Sequence, residues 1–155
     1  MVAEPSDEVL ASLGRVMVKA AQLEGALGTV AGERLGLNMI DVLGKPGKSL
    51  RAARRAVDLM PEEDRHLFIP HIERAAELLA RRHLFVHALW VDTQDDQGMP
   101  RPLAIHMRTF TRTPIEAPAL NDFARQLGDA YTSLIELLTD QINGRLASPR
   151  RCSLR

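Results

Sequence analysis

Apolar residues recur at spacings of three and four over long parts of the chain, a pattern typical of amphipathic helices. The first helix is predicted over about residues 7–35, with Ser6 as N-cap and Gly36 as the stop. A second helix is predicted over about residues 49–60, after a loop rich in glycine and proline. The apolar stripe of the first helix consists of Val9, Leu13, Val16, Ala20, Leu23, Leu27 and Val30.

Two further helices follow the same periodicity. The third is predicted over about residues 62–91, in two pieces joined near Pro70, because proline cannot donate a helical hydrogen bond. The fourth helix is expected to begin with Asn121 or a neighbour as its N-cap. Its apolar stripe consists of Leu120, Phe123, Leu127, Ala130, Leu134, Leu138 and Ile142.

The segment between the third and fourth helices has a different pattern. The sequence "LAIHMRTF" (103–110) alternates with a period of two, which predicts a strand. Paired with the end of "HALWV" (87–91), this strand would complete a small hairpin. The predicted fold is therefore all-α, an up-and-down four-helix-type bundle with a small β-hairpin insertion before the last helix.

The length of 155 residues suits a single domain, which we place at residues 1–147. The remaining residues, 148–155, are predicted to be a disordered basic tail. Because Cys152 is the only cysteine, no disulfide is expected within the chain, as is usual in a reducing compartment. The acidic N-terminus and the lack of a long apolar run predict a cytoplasmic protein with no membrane association.

The charge balance excludes a general attraction for nucleic acid, because Lys and Arg together number 20 and Asp and Glu also number 20. Contact with a nucleic acid therefore requires a local basic patch. No glycine-rich phosphate loop is present, and neither a cofactor nor a metal is expected.

The third helix places ionisable side chains among apolar ones. On a helical wheel Arg82, His83 and His87 fall in the same arc as Leu78 and Phe85. The three side chains are therefore expected to point toward the bundle or a partner rather than toward water. Arg81 lies on the solvated face instead, where an i,i+4 pair with Glu77 is expected.

A guanidinium inside an apolar arc needs an anionic partner. Glu24 falls within the apolar stripe of the first helix, among Ala20, Leu27 and Ala31. We therefore predict that Glu24 approaches Arg82.

The hexapeptide "RHLFVH", Arg82 to His87, resembles the R-x4-6-H motif of the HEPN domain superfamily. The surroundings also resemble HEPN proteins over about Val9 to Leu146, since the motif lies late in a long helix, before a hairpin segment and a final long helix. The resemblance implies metal-independent ribonuclease activity in a homodimer, with residues from both subunits lining a shared groove.

By this resemblance His87 is the general base or acid at the ribose 2′-hydroxyl, and Arg82 binds the scissile phosphate. His83 orients the other two or carries a second proton, and Glu24 and Trp90 support them. The products are a 2′,3′-cyclic phosphate and a 5′-hydroxyl. An antitoxin or a nucleotidyltransferase is a further partner that the resemblance implies.

Other interpretations stay open at this level. The same residues are compatible with a non-catalytic HEPN-like dimerisation or adaptor module that binds a partner protein or nucleotide, with Arg82 as a structural ion-pair residue. The spacing of His83 and His87 also suits a helical metal clamp, with Asp92 or His106 as third ligand. Trp90 fits core packing better than a platform for stacked bases.

The R-x4-6-H spacing occurs elsewhere in the chain, at Arg65 to His71, Arg81 to His87 and Arg101 to His106. Proline interrupts the first and the last of these, and Arg81 lies on the solvated face. Arg82 and His87 are therefore the candidate catalytic pair.

Overall fold

The computed structural model describes residues 5–38, 47–94, 96–98 and 100–147. In chain order these residues form α1 (Asp7–Leu35), α2 (Lys48–Asp58), α3 (Glu62–Val86), β1 (Ala88–Gln94), β2 (Pro100–His106), β3 (Arg112–Pro114) and α4 (Ala117–Ala147). This part of the chain is mostly helical, with a small antiparallel sheet before the last helix, so the predicted helical bundle is confirmed in outline. The predicted tail, 148–155, lies outside the described residues.

Among the described elements, α1 packs most extensively against α4, and it also packs against α2. The bounds of α1 match the prediction: the Ser6 side chain accepts a hydrogen bond from the Val9 backbone N–H at 3.3 Å, and Gly36 ends the helix with φ 62°. The predicted stripe is buried except for the half-buried Leu13.

One hydrophobic core holds the helices together. The largest fully buried side chains come from α1, α3, α4 and the segment before α4: Leu23, Leu27, Phe68, Ile72, Leu78, Ile115, Leu120, Phe123, Leu127 and Leu134. Close-packed aliphatic and aromatic groups of this kind supply most of the stabilisation of a domain. Among the described residues no helix is both long and apolar enough to cross a bilayer.

Asp64 links three helices at the start of α3. It accepts hydrogen bonds from Arg34 of α1 at 3.4 Å and from Gln141 of α4 at 2.5 Å. The side chains of Arg34 and Asp64 are largely shielded from solvent, so this contact is less screened than an ion pair on the surface. It fixes the position of the first turn of α3 against its neighbours.

Helix α3 is continuous through Pro70, so the predicted division into two pieces is wrong. A proline inside a helix removes the hydrogen bond to the carbonyl four residues earlier, here that of His66. Both Pro70 and His66 are exposed, so water can satisfy that carbonyl without a break in the helix.

The predicted C-terminal limit of this helix, Val91, is also wrong. The helix ends at Val86, His87 is its C-cap, and the next seven residues form β1. The sequence "ALWVDTQ" contains the β-branched and aromatic residues that favour strands, and its backbone groups pair with β2. Leu89 and Trp90 therefore belong to the sheet rather than to the apolar arc of a helix.

The sheet has the order β1-β2-β3 with antiparallel pairs. The predicted hairpin is present, because Ala88 pairs with His106 and Trp90 pairs with Ala104. Two features were not predicted: β2 ends at His106 rather than Phe110, and the short third strand pairs with it.

Helix α4 begins at Ala117, so the predicted cap at Asn121 is wrong. The first intrahelical bond runs from the Leu120 N–H to the Glu116 carbonyl at 3.0 Å. Pro118 is tolerated in this first turn because the N–H groups there have no helical partner. Asn121 instead lies one turn inside the helix and accepts a hydrogen bond from Arg15 of α1 at 2.9 Å.

We expect Pro70→Ala to raise the free energy of unfolding by about 1–2 kcal/mol, because alanine restores the missing hydrogen bond to the His66 carbonyl. Pro118→Ala is the matched control. It restores no helical bond and is expected to lower stability by about 0.5 kcal/mol through the added freedom of the unfolded chain. Urea denaturation followed by circular dichroism measures both, and equal effects of the two variants would contradict the account of Pro70.

Candidate functional site

Arg82 lies directly before the last turn of α3 and pairs with Glu24 of α1, as predicted. Its Nη2 donates to Glu24 Oε1 at 2.5 Å. The side chains keep only 20% and 29% of their exposure, so the two charges are largely removed from water. Arg82 Nε is buried without a hydrogen-bond partner among the described residues. The pair therefore fixes the rotation of the last turn of α3 against α1.

His83 and His87 form the exposed side of this turn. Their ring centroids are 4.1 Å apart, and the His87 N–H donates to the His83 carbonyl at 3.1 Å. Both side chains are exposed in the single chain, so the expectation that they point toward the bundle is wrong. A partner could still contact them from outside.

The sheet brings a third histidine to the pair. His106 ends β2, and its ring centroid lies 6.4 Å from that of His83. Its register with Ala88 places it on the same face of the sheet as Ala104 and Trp90, the face that packs toward the helices. We call Arg82, His83, His87 and His106, together with Arg108 in the following turn, the histidine cluster.

The pKa of His83 is lowered below its ordinary value. Partial desolvation of the ring is the largest cause, and the positive charges of His87, Arg82, His106 and Arg108 add to it. His83 is therefore held largely neutral at pH 7, so it can accept a proton.

The turn between β2 and β3 carries an exposed aromatic residue in an unusual conformation. Phe110 has φ 53° and keeps 72% of its exposure. The turn closes through hydrogen bonds from the Phe110 N–H to the His106 carbonyl at 2.7 Å and from the His106 N–H to the Thr111 carbonyl at 3.0 Å. Holding a bulky residue in the left-handed region costs roughly 1–2 kcal/mol, and glycine is usual there.

Side-chain hydroxyl groups brace the same turn. Thr109 Oγ1 lies 2.9 Å from His106 Nδ1 and 2.8 Å from Thr111 Oγ1. The His106 ring is therefore oriented by the turn that carries Arg108 and Phe110.

Trp90 is not part of the histidine cluster. Its indole Nε1 donates to the Phe85 carbonyl at 3.1 Å, and its ring packs against the core. This bond satisfies a carbonyl of the last turn of α3 and ties β1 to the helix. Its role is therefore to hold the sheet against α3, which agrees with the core-packing interpretation.

Arg81 does not form the expected pair with Glu77; Glu77 instead accepts a hydrogen bond from Arg74 at 3.1 Å. The Arg81 guanidinium lies over the Phe123 ring, 4.7 Å from its centroid. Such a cation–π contact stabilises an exposed site by about 0.5–1 kcal/mol. Arg81 thus covers the outer edge of the core beside Phe85, whose ring is 5.7 Å from that of Phe123.

The structure also has a cavity that lies apart from the cluster. A cavity of about 820 Å³ between α1 and α4 is lined by Gly14, Lys19 and Gly128 among others, and it contains no histidine. Across the residues that the structure describes, no group of three or more metal-ligating side chains is placed to hold an ion. The predicted metal clamp at His83 and His87 therefore has no completed ligand set among those residues; the side chain of Asp92, one of its two predicted third ligands, lies outside the described part of the structure.

Searches against protein-family models, curated proteins and solved structures return no match to this chain. The relation to the HEPN superfamily therefore stays a prediction based on the hexapeptide Arg82 to His87 and on the arrangement of the helices.

Reasoning from the sequence left Arg108 and Phe110 out of the site and considered His106 only as a third metal ligand and as the end of an R-x4-6-H match that proline interrupts. The period-two pattern of residues 103–110 predicts a strand as far as residue 110, whereas β2 ends at His106, so the pattern gives no sign of the turn that follows. The two threonines that flank Phe110 are the one signal of a turn, and it is weak.

We expect a double-mutant cycle on Glu24→Ala and Arg82→Ala to give a coupling energy of about 1–2 kcal/mol, because each single variant leaves a partly buried charge without its partner. The control is the same cycle on Arg54 and Glu73. That pair has two hydrogen bonds, of 3.0 and 2.8 Å, but its side chains are 47% and 54% exposed. Its coupling should stay below about 1 kcal/mol. A larger coupling for the exposed pair would contradict the role given to Arg82 and Glu24.

We expect an NMR titration to place the pKa of His83 below its ordinary value of about 6.5. His87→Ala should raise it in part, because one positive neighbour is removed while the desolvation remains. His71→Ala, a change elsewhere on α3, should leave it unchanged.

The sign of the effect on stability follows from the lowered pKa. As pH falls below about 6.5, the unfolded chain takes up this proton before the folded protein does, so the free energy of unfolding decreases. The stabilisation contributed by His83 is complete above about pH 6.5 and is lost progressively as the pH falls toward the pKa of His83 in the folded protein. Urea midpoints measured for the protein and for His83→Gln across this window check it, since the variant should lack this part of the pH dependence.

Proposed function

We propose that this protein is a metal-independent endoribonuclease of the HEPN type that acts through Arg82 and His87. The observation that supports the proposal is the contact between two exposed histidine rings beside two arginines, Arg82 and Arg108. Cleavage of RNA through its 2′-hydroxyl needs one group that accepts a proton, one that donates a proton, and positive charge at the phosphate. The cluster contains all three kinds of group.

In the proposed reaction a histidine removes the proton from the 2′-hydroxyl, and the 2′-oxygen attacks phosphorus. The bond from phosphorus to the 5′-oxygen breaks, and the second histidine gives a proton to the leaving oxygen. His83 suits the role of base because its lowered pKa keeps it neutral, and His87 then acts as the acid. The products are a 2′,3′-cyclic phosphate and a 5′-hydroxyl.

Arg82 has guanidinium N–H groups that Glu24 does not engage and that are available to bind the scissile phosphate of the RNA. A guanidinium carries five N–H groups, and Glu24 engages Nη2. Binding of a phosphate at this position adds a second anion beside the same cation, so the carboxylate sets how strongly Arg82 attracts RNA. Arg108 supplies further positive charge, close enough to lower the pKa of His83.

A homodimer completes the proposal. Both histidine side chains are exposed on the single chain, so the clusters of two copies can face one groove that holds RNA. In a two-fold interface the same patch of each copy contributes, which doubles the positive charge at the groove.

The Glu24 contact also supports a second candidate function, a non-catalytic adaptor. Arg82 already has an ionic partner within the chain, which is what a purely structural arginine requires. In that case the exposed histidines contact a partner protein such as an antitoxin or a nucleotidyltransferase, or a nucleotide, and no cleavage occurs.

We expect the purified protein to cleave single-stranded RNA in the presence of EDTA and to leave 2′,3′-cyclic phosphate ends. His87→Ala should reduce the rate about 100-fold or more, which is the usual loss when a general acid or base is removed. Gel analysis of end-labelled RNA, with phosphatase treatment to identify the ends, measures both the rate and the product.

His71→Ala is the matched control, because Arg65 and His71 also fit the R-x4-6-H spacing but lie away from the cluster, where His71 borders Arg74 and Gln126. It should cleave like the unmodified protein. Loss of activity in both variants, or cleavage that EDTA abolishes, would contradict the proposal. Absence of any cleavage by a folded dimeric protein would favour the adaptor.

A further inference from the structure

We propose that the turn of residues 107–111 binds single-stranded nucleic acid by stacking one base on the Phe110 ring, beside the histidine cluster. This deepens the proposed function and rests on it only for the identity of the polymer as RNA. Binding of this kind needs an accessible aromatic ring, a fixed position for that ring, and positive charge nearby for the phosphate backbone of the nucleic acid. The structure contains each of the three.

The Phe110 ring is accessible and lies outside the hydrophobic core. Phe110 is the most exposed of the large hydrophobic side chains in the described residues, at 72%. Phenylalanine at such a position adds nothing to the core and exposes apolar surface to water. An aromatic face that is open to solvent is the surface on which proteins stack unpaired bases without strict sequence preference.

The position of the ring is fixed at the expense of backbone strain. Phe110 occupies the left-handed region, where glycine would fit without strain. Three contacts hold the turn in this form: the Phe110 N–H to the His106 carbonyl, the His106 N–H to the Thr111 carbonyl, and the hydroxyl contact of Thr109 with Thr111. Strain maintained in this way at an exposed site is characteristic of functional positions.

The charge around the turn suits a polyanion. Arg108 lies two residues before Phe110 and is close enough to act electrostatically on His83. His106, at the start of the same turn, lies 6.4 Å from His83. A strand that stacks a base on Phe110 therefore has its backbone next to Arg108 and the next phosphates next to His83 and His87. An apolar peptide would gain nothing from the positive charge of Arg108, so nucleic acid fits the surface better than an apolar protein segment.

The test uses the full chain and a fluorescently labelled, 2′-O-methylated oligonucleotide of about ten nucleotides, a length that one such site can accommodate. The methyl groups block attack by the 2′-oxygen, so binding is measured without cleavage. Fluorescence anisotropy at about 0.1 M salt gives the dissociation constant, and a salt series shows how far charge contributes.

Phe110→Gly is the decisive variant, because it removes the ring and relieves the backbone at once. We expect its thermal midpoint to equal or exceed that of the unmodified protein, while its affinity falls about fivefold or more. Phe110→Trp keeps an aromatic face and should retain the affinity. Leu67→Ala, which removes another exposed apolar side chain (56% exposed) near the start of α3, should bind as the unmodified protein does.

Equal affinity of Phe110→Gly and the unmodified protein would overturn the inference, as would the absence of any binding by the unmodified protein. If Phe110→Gly keeps its affinity but loses self-association in sedimentation, the ring contacts a second protein copy, and the stacking role is likewise refuted. Failure of the ribonuclease proposal is seen separately. In that case unmodified RNA stays intact, while the methylated oligonucleotide still binds in a manner that depends on Phe110.

Discussion

A guanidinium in the apolar flank of α3 must find an anion, and Glu24 on α1 is that anion. The pair fixes the rotation of the last turn of α3, just as Asp64 fixes the first turn through Arg34 and Gln141. Because side chains of a helix are rotated by about 100° from one residue to the next, a fixed Arg82 also decides the direction of the side chains beside it. Phe85 enters the core next to Phe123, and His83 is left on the exposed side with His87.

The sheet converts this exposed pair into a cluster. β1 begins directly after the His87 cap, and Trp90 binds the Phe85 carbonyl, so the strands are held against the end of α3. β2 then ends at His106, beside His83. The histidine cluster is thus formed where the end of α3 meets the end of β2. Glu24, which fixes Arg82 in place, comes from α1, far earlier in the sequence. Partial desolvation, together with the positive groups nearby, lowers the pKa of His83, and the positive groups favour an anionic ligand.

Much of the fold could be predicted because the apolar stripes of α1 and α4 are long and regular, and because Ser6 and Gly36 are unambiguous signals. The Glu24–Arg82 contact was predictable for the same reason, since each residue interrupts a stripe. The end of α3 was not: Leu89 and Trp90 continue the helical spacing as well as they fit a strand, and only the pairing with β2 decides between the two. The position of Phe110 was beyond prediction, because the left-handed conformation of a phenylalanine is imposed by the closed turn rather than by its own preference.

Arg82 and Phe110 differ in what they reveal about function. Arg82 is explained by packing alone, since its ion pair gives it a structural role whether or not RNA binds. Phe110 has no such explanation: its ring contributes nothing to the core, and its backbone conformation costs free energy. A residue that lowers stability and is nevertheless held in place by several hydrogen bonds points to a ligand more directly than a well-paired charge does. The requirements of the fold therefore do not explain why the turn beside His106 carries an exposed phenylalanine.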